Sequence, residues 1–344
     1  MKITQEPFGE GYTLITLEND NGVKLAFSDL GARIVSMKVP KDEGFRELVL
    51  GFDSAKEYLE KDTFMGATIG RVAGRIANGT FEVGDDHYHI PTNNLGNTLH
   101  GGTPSFDSAK WVFKTKETER SASIEFQLFS PDGENGFPGN LTVTVTYTFD
   151  NTNTWTIDYS ATTDKETLFN PTNHVYFNFT GHPSQTVDEH TLQLSSDMFL
   201  LTHPLDNTVI GEVKKVDRTP FDFRKPKVLR EVFQSDFPQK NQVDGIDHPF
   251  LLDSLSEDVP HAVLSLPKDD ISIKMFTEET SVVVFTANFG EDTYEMRGEK
   301  LANHSGVTLE TQNPPGSEQF TQFGEIEITP DRGFRSTTKF EIYF

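Results

Sequence analysis

Two segments far apart in the chain carry the residue types of an acid/base pair. In NPTNHVYFNF, residues 170–179, strand alternation would put Thr172, His174, Tyr176 and Asn178 on one face and Val175, Phe177 and Phe179 on the other. In GVTLETQN, the same alternation groups Thr308, Glu310 and Gln312 opposite Val307, Leu309 and Thr311. If both strands belong to one sheet whose polar faces line a cleft, an imidazole and a carboxylate meet in a common space, which is a general acid/base arrangement. A histidine on a sheet is also an ordinary hydrogen-bonded structural residue, so the other segments must decide.

Four of them offer further polar groups. His100 in NTLHGG precedes two glycines that let the backbone turn sharply or approach a ligand closely. GIDHPF offers Asp247 and His248 as a ligand-holding loop or an Asx-type turn. GRVAGRIANG supplies Arg71 and Arg75, whose guanidinium forks suit sugar hydroxyls and carboxylates, or surface ion pairs. His87 and His89 in DDHYHI share a strand face and could ligate a metal, but no third ligand stands at a diagnostic spacing.

Composition narrows the partners. With 53 acidic against 30 basic residues the formal net charge is -23, which opposes binding to nucleic-acid phosphates and anionic membrane surfaces. The chain has no Cys, so disulfides, thiolate nucleophiles and cysteine-bound zinc are absent together. The opening MKITQEPFGEGYTLITLEND lacks the apolar core of a signal peptide, and no apolar run reaches membrane-spanning length, so a cytoplasmic protein is expected.

The elements that must position these groups are strands. LTVTVTYTF, residues 141–149, alternates five apolar residues with four threonines, and TWTIDYS follows after DNTN, so the two read as a hairpin. Strand patterns recur throughout, among them FEVGDDHYHI, SVVVFTANF, EIEITP and KFEIYF, whereas helix candidates are few and short, chiefly SAKEYLEKD and KVLREVFQ. The expectation is an all-β protein, a large antiparallel β-sandwich with a few short helices, folded as a single domain over residues 1–344. Residues 101–111, 181–190 and 201–249 then read as long loops on the sheet scaffold.

With these motifs in view, NTLHGG, NPTNHVYFN, GIDHPF and TLETQNPPGSEQ, in that order and with GRVAGRI upstream, resemble the signature blocks of the aldose 1-epimerases, or galactose mutarotases. The resemblance implies a large antiparallel β-sandwich and a cofactor-free, metal-free interconversion of the α and β anomers of galactose, glucose and related free aldoses. It makes His174 the general acid and Glu310 the general base. Arg75, His100 and Asp247 would hold and polarise the sugar, and Phe285 in VVVFTANF would line its pocket. Many members carry Asn before the second arginine of the upstream block, where this chain has Gly74.

These residue types suit ring opening, which removes the proton of the anomeric hydroxyl while giving one to the ring oxygen. At reference pKa values of about 4.3 for Glu and 6.5 for His, the pair is correctly charged between those values. The expected partner is a free monosaccharide, with the protein a monomer or homodimer. Two other classes compete: a non-catalytic sugar-binding sandwich, and a glycoside hydrolase using Glu310 and Asp247, which would leave the histidines unexplained. A hexose-phosphate 1-epimerase would need cations that NTLHGGTPSFDS lacks after its histidine.

Overall fold

The alternation in LTVTVTYTF sets a strand, Leu141–Asp150, in which Leu141, Val143, Val145, Tyr147 and Phe149 are buried and the residues between them partly covered. It pairs antiparallel with Thr154–Thr163, the expected hairpin. Fully burying each large apolar side chain stabilises by about 1.5–3 kcal/mol. A one-residue slip, which would turn all five outward, is therefore strongly opposed. The computed structural model describes residues 1–41, 43–254, 256, 258–291 and 293–344.

Three antiparallel sheets carry the fold. The nine-stranded sheet runs in spatial order 112–117, 121–130, 141–150, 154–163, 334–343, 271–277, 262–266, 191–194 and 227–228. The six-stranded sheet runs 176–177, 307–312, 281–285, 247–251, 198–202 and 209–215, and the strands 2–9, 12–18, 24–28, 33–41 and 44–47 form a five-stranded meander. Val282, Val284 and Leu309 of the six-stranded sheet share one buried cluster with Tyr147, Trp155 and Phe340 of the nine-stranded sheet. The rings of Phe177 and Phe340 meet between the two sheets at 5.4 Å. This is the expected large β-sandwich, and its main core draws on residues from Ile15 to Ile342. The described helices are short: Ala55–Lys61, Leu229–Phe233 and Pro238–Val243. No described helix is long and apolar enough to cross a membrane.

Several local expectations need correction. FEVGDDHYHI is not one strand but a tight hairpin of Thr80–Val83 with Asp86–His89. EIEITP forms only the short strand Glu327–Ile328. Residues 201–249 are not a continuous loop, since they hold the strand Val209–Lys215 and two of the helices. GIDHPF is neither loop nor Asx turn: Asp247–Leu251 is a strand between Ser281–Phe285 and Met198–Thr202.

Candidate active site

The outer face of the six-stranded sheet floors a cavity of about 300 Å³, at the small end of the ~300–1,000 Å³ usual for small-molecule sites. Strand alternation builds the floor: Val282, Val284 and Leu309 turn into the sandwich, while Val283, Phe285 and Glu310 face the cavity. Register brings Glu310 opposite Val283, and Phe285 opposite both Thr308 and Asp247. Within GIDHPF the same alternation sends Asp247 to the cavity and His248 to the core. There His248 packs beside Phe221 at 4.9 Å, and burial lowers its pKa to about 3.

His174 reaches this floor by interrupting its strand. Pairing stops after Thr172–Asn173 and resumes at Tyr176–Phe177. In between, the His174 N–H donates to the Ala67 carbonyl at 2.9 Å, and its own carbonyl accepts from Gly66 at 2.9 Å. Asn173 donates to the Gly66 carbonyl at 3.0 Å and to the Tyr147 hydroxyl at 3.1 Å. A central strand of the opposite sheet thereby helps to fix the imidazole.

The imidazole Nε2 lies 3.4 Å from Glu310 Oε1, with both side chains nearly buried. Thr308 donates to the same carboxylate oxygen at 2.9 Å and accepts the Phe285 N–H at 3.1 Å. Burial raises the Glu310 pKa above its ordinary 4.5, opposed by His174 and by the Thr308 hydrogen bond. His174 Nδ1 has no hydrogen-bond partner among the described residues. Nε2 is therefore the ring nitrogen that faces Glu310.

His100 stands beside His174, ring centroids 5.2 Å apart and edge to face, and Phe64 packs on His100 at 4.8 Å. Its backbone is left-handed, φ 54°, in the HGG turn. At Gly101 a Cβ would collide with the Gly70 carbonyl, so that glycine serves a close crossing of two backbone segments rather than a ligand. His100 Nδ1 accepts the Gly74 N–H at 3.2 Å. Burial first, then the nearby His174 and Arg75, push its pKa well below 6.5. The ring is thus neutral with its proton on Nε2, a fixed hydrogen-bond donor.

Arg75 donates to the Asn94 side chain at 3.1 Å and lies 3.9 Å from Asp247, whose Oδ2 also accepts from Asn207. Burial raises the Asp247 pKa, with Arg75 opposing it. The cavity therefore holds all six expected residues, Arg75, His100, His174, Asp247, Phe285 and Glu310. Asn94, Asn207 and Phe64 also line it and were not foreseen. For the two asparagines the sequence signal was turn composition, which does not say what a side chain will touch.

Other candidates lie elsewhere. Arg71 is buried and clamps the chain, donating to the carbonyls of Ser130, Pro131, Pro138 and Gly139, and burial lowers its pKa to about 10. His87 and His89 sit on the exposed hairpin, with His87 2.9 Å from Glu82. The described residues include no group of three or more side chains arranged to hold a metal.

Gly74 has a physical explanation. Its φ is +80°, and a Cβ there would lie 2.7 Å from the Pro315 ring. Gly74→Ala is expected to cost about 1–3 kcal/mol through backbone strain and overpacking, read as an earlier midpoint in urea unfolding. An unchanged midpoint would show that Pro315 gives way freely.

Comparison with known proteins agrees with this arrangement. A family model described as "Aldose 1-epimerase" matches residues 13–341. The chain is 36% identical over 339 residues to an aldose 1-epimerase of Haemophilus influenzae, covering 96% of each. It is 36% identical over 315 residues to the galactose mutarotase of Homo sapiens, covering 90% of this chain and 88% of that one. The crystal structure of galactose 1-epimerase from Lactobacillus acidophilus superposes with a TM-score of 0.87 at 29% identity, over 99% of this chain and 98% of that one. A family match that runs almost end to end, and relatives this similar over nearly their full lengths, leave one assignment: the chain belongs to the aldose 1-epimerase family.

Proposed function

We propose that this protein, as one domain over residues 1–344, interconverts the α and β anomers of free aldohexoses such as galactose and glucose, with His174 as acid and Glu310 as base. The observation that carries the reading is the 3.4 Å separation of His174 Nε2 and Glu310 Oε1. The anomeric oxygen O1 and the ring oxygen O5 are bonded to the same carbon, so the groups serving them must stand side by side. Glycosidase carboxyl pairs, which straddle a bond or a water, stand about 5–9.5 Å apart.

Glu310 takes the O1 proton as the C1–O5 bond breaks and the C1–O1 bond becomes a carbonyl, while His174 delivers its proton to O5. Rotation about C1–C2 presents the other face of the aldehyde. Closure reverses both transfers: Glu310 returns a proton to O1, and His174 recovers one from the attacking hydroxyl. Opening and closure each need two proton transfers, which the two side chains supply. Each such general acid or base contributes typically about 10²–10⁴-fold.

Arg75, Asp247 and the neutral His100 hold the distal hydroxyls, and the Phe285 ring lies against the apolar edge of the sugar. Gripping the unreactive end and leaving C1 free lets the open chain turn without escaping. The test is polarimetry on freshly dissolved α-D-galactose. Equilibration should accelerate in proportion to protein concentration. Saturable binding of galactose without acceleration would leave only a sugar-binding protein.

A further inference from the structure

Gln312 ends the strand Val307–Gln312, fully buried, and neither its amide nitrogen nor its amide oxygen has a hydrogen-bond partner among the described residues. An unpaired buried donor or acceptor costs about 1–3 kcal/mol, so two on one side chain ask for an explanation. Gln312 lines the same cavity as Glu310, two residues further along the strand on the same face, which is about 7 Å away. Val283, Pro249 and Pro315, which line the cavity with it, have side chains with no hydrogen-bonding group to offer. Ser281, opposite it in register, spends its hydroxyl on the Gln312 backbone carbonyl at 2.6 Å. The cavity it lines is the side from which a ligand group reaches this amide.

We infer that Gln312 recognises the hydroxyl on C2 of the sugar, an assignment that rests on the acid/base roles of His174 and Glu310. Register sets Asp247 beside Phe285 and Phe285 beside Thr308, at one end of the floor, whereas Gln312 stands at the other end with Glu310 between. A hexose held at its distal hydroxyls by Asp247 and Arg75, with C1 at Glu310, turns its C1–C2 edge toward Gln312. A hydroxyl both donates and accepts, as does a carboxamide, so one C2 hydroxyl relieves an otherwise unpaired group. C2 is also the fixed end of the bond about which the aldehyde rotates. Anchoring it keeps the open chain in register while C1 turns.

The test compares D-galactose with 2-deoxy-D-galactose by polarimetry, each corrected for its spontaneous rate. In the unmodified protein kcat/KM should be about tenfold or more lower for the 2-deoxy sugar, because the amide is then left unpaired. Gln312→Met, which keeps length and loses hydrogen bonding, should lower kcat/KM for galactose by about tenfold and for the 2-deoxy sugar by less than about twofold. Equal losses on the two sugars, or no loss on galactose, would overturn the assignment. Should Gln312→Met fail to fold, the unmodified protein still decides: equal kcat/KM for the two sugars sinks the C2 contact. A different outcome, no acceleration of either sugar by the unmodified protein, would bring down the acid/base reading itself.

Discussion

Glu310→Gln is expected to slow anomer interconversion by about 10³-fold. The amide keeps the shape of the side chain and can still accept from Thr308, which donates to Glu310 at 2.9 Å. It cannot take the O1 proton. Loss of stability should not account for the effect, since burial already works against the charge on this carboxylate, and a neutral isostere removes that penalty. A melting midpoint no lower than that of the parent, together with collapsed kcat, separates chemistry from folding. The same burial predicts the acid limb of the parent protein. The base must be ionised to act, and its pKa is raised, so activity falls with decreasing pH around a midpoint above 4.5. Near-parental turnover in Glu310→Gln would remove the base assignment.

His174→Gln should cost about 10²–10⁴-fold, because a carboxamide can donate a hydrogen bond to O5 but cannot deliver a proton. A second consequence separates a catalytic imidazole from a structural one. His174 is the largest influence opposing the upward shift of the Glu310 pKa. Without it, that carboxyl becomes harder to ionise, and the acid limb of the residual activity should move to higher pH. A rate loss with an unmoved limb would mean that the imidazole does not act on Glu310.

The fold was legible where its determinants are local. LTVTVTYTF alternates because one face is buried against the other sheet, and any reader of period two finds it. The strand Val209–Lys215 was missed because most of its residues are partly or fully exposed, so no alternation marks it. GIDHPF looked like a turn because glycine and proline flank its polar pair. Pro249 sits within a strand all the same, although it lacks an N–H to donate to the ladder. The break at His174 depends on hydrogen bonds to residues 66 and 67, which no local pattern announces.

The site was legible as residue types and not as contacts. Alternation around Glu310 put Thr308, Glu310 and Gln312 on one face, and the sheet delivers the last two to the cavity floor. It could not tell Arg71 from Arg75. The first is consumed by backbone carbonyls around 130–139 and the second opens toward Asp247, a difference set by segments remote in sequence. Asn94 and Asn207, which orient Arg75 and Asp247, were hidden for the same reason.

The most direct test of the acid/base pair is a crystal structure of Glu310→Gln with D-galactose bound, since that variant should hold the sugar without turning it over. The account predicts O5 within hydrogen-bonding reach of His174 Nε2 and O1 within reach of the residue 310 side chain, with the distal hydroxyls on Arg75 and Asp247. A ring bound the other way round, with C1 at Arg75 and Asp247 and only distal hydroxyls at His174, would contradict it.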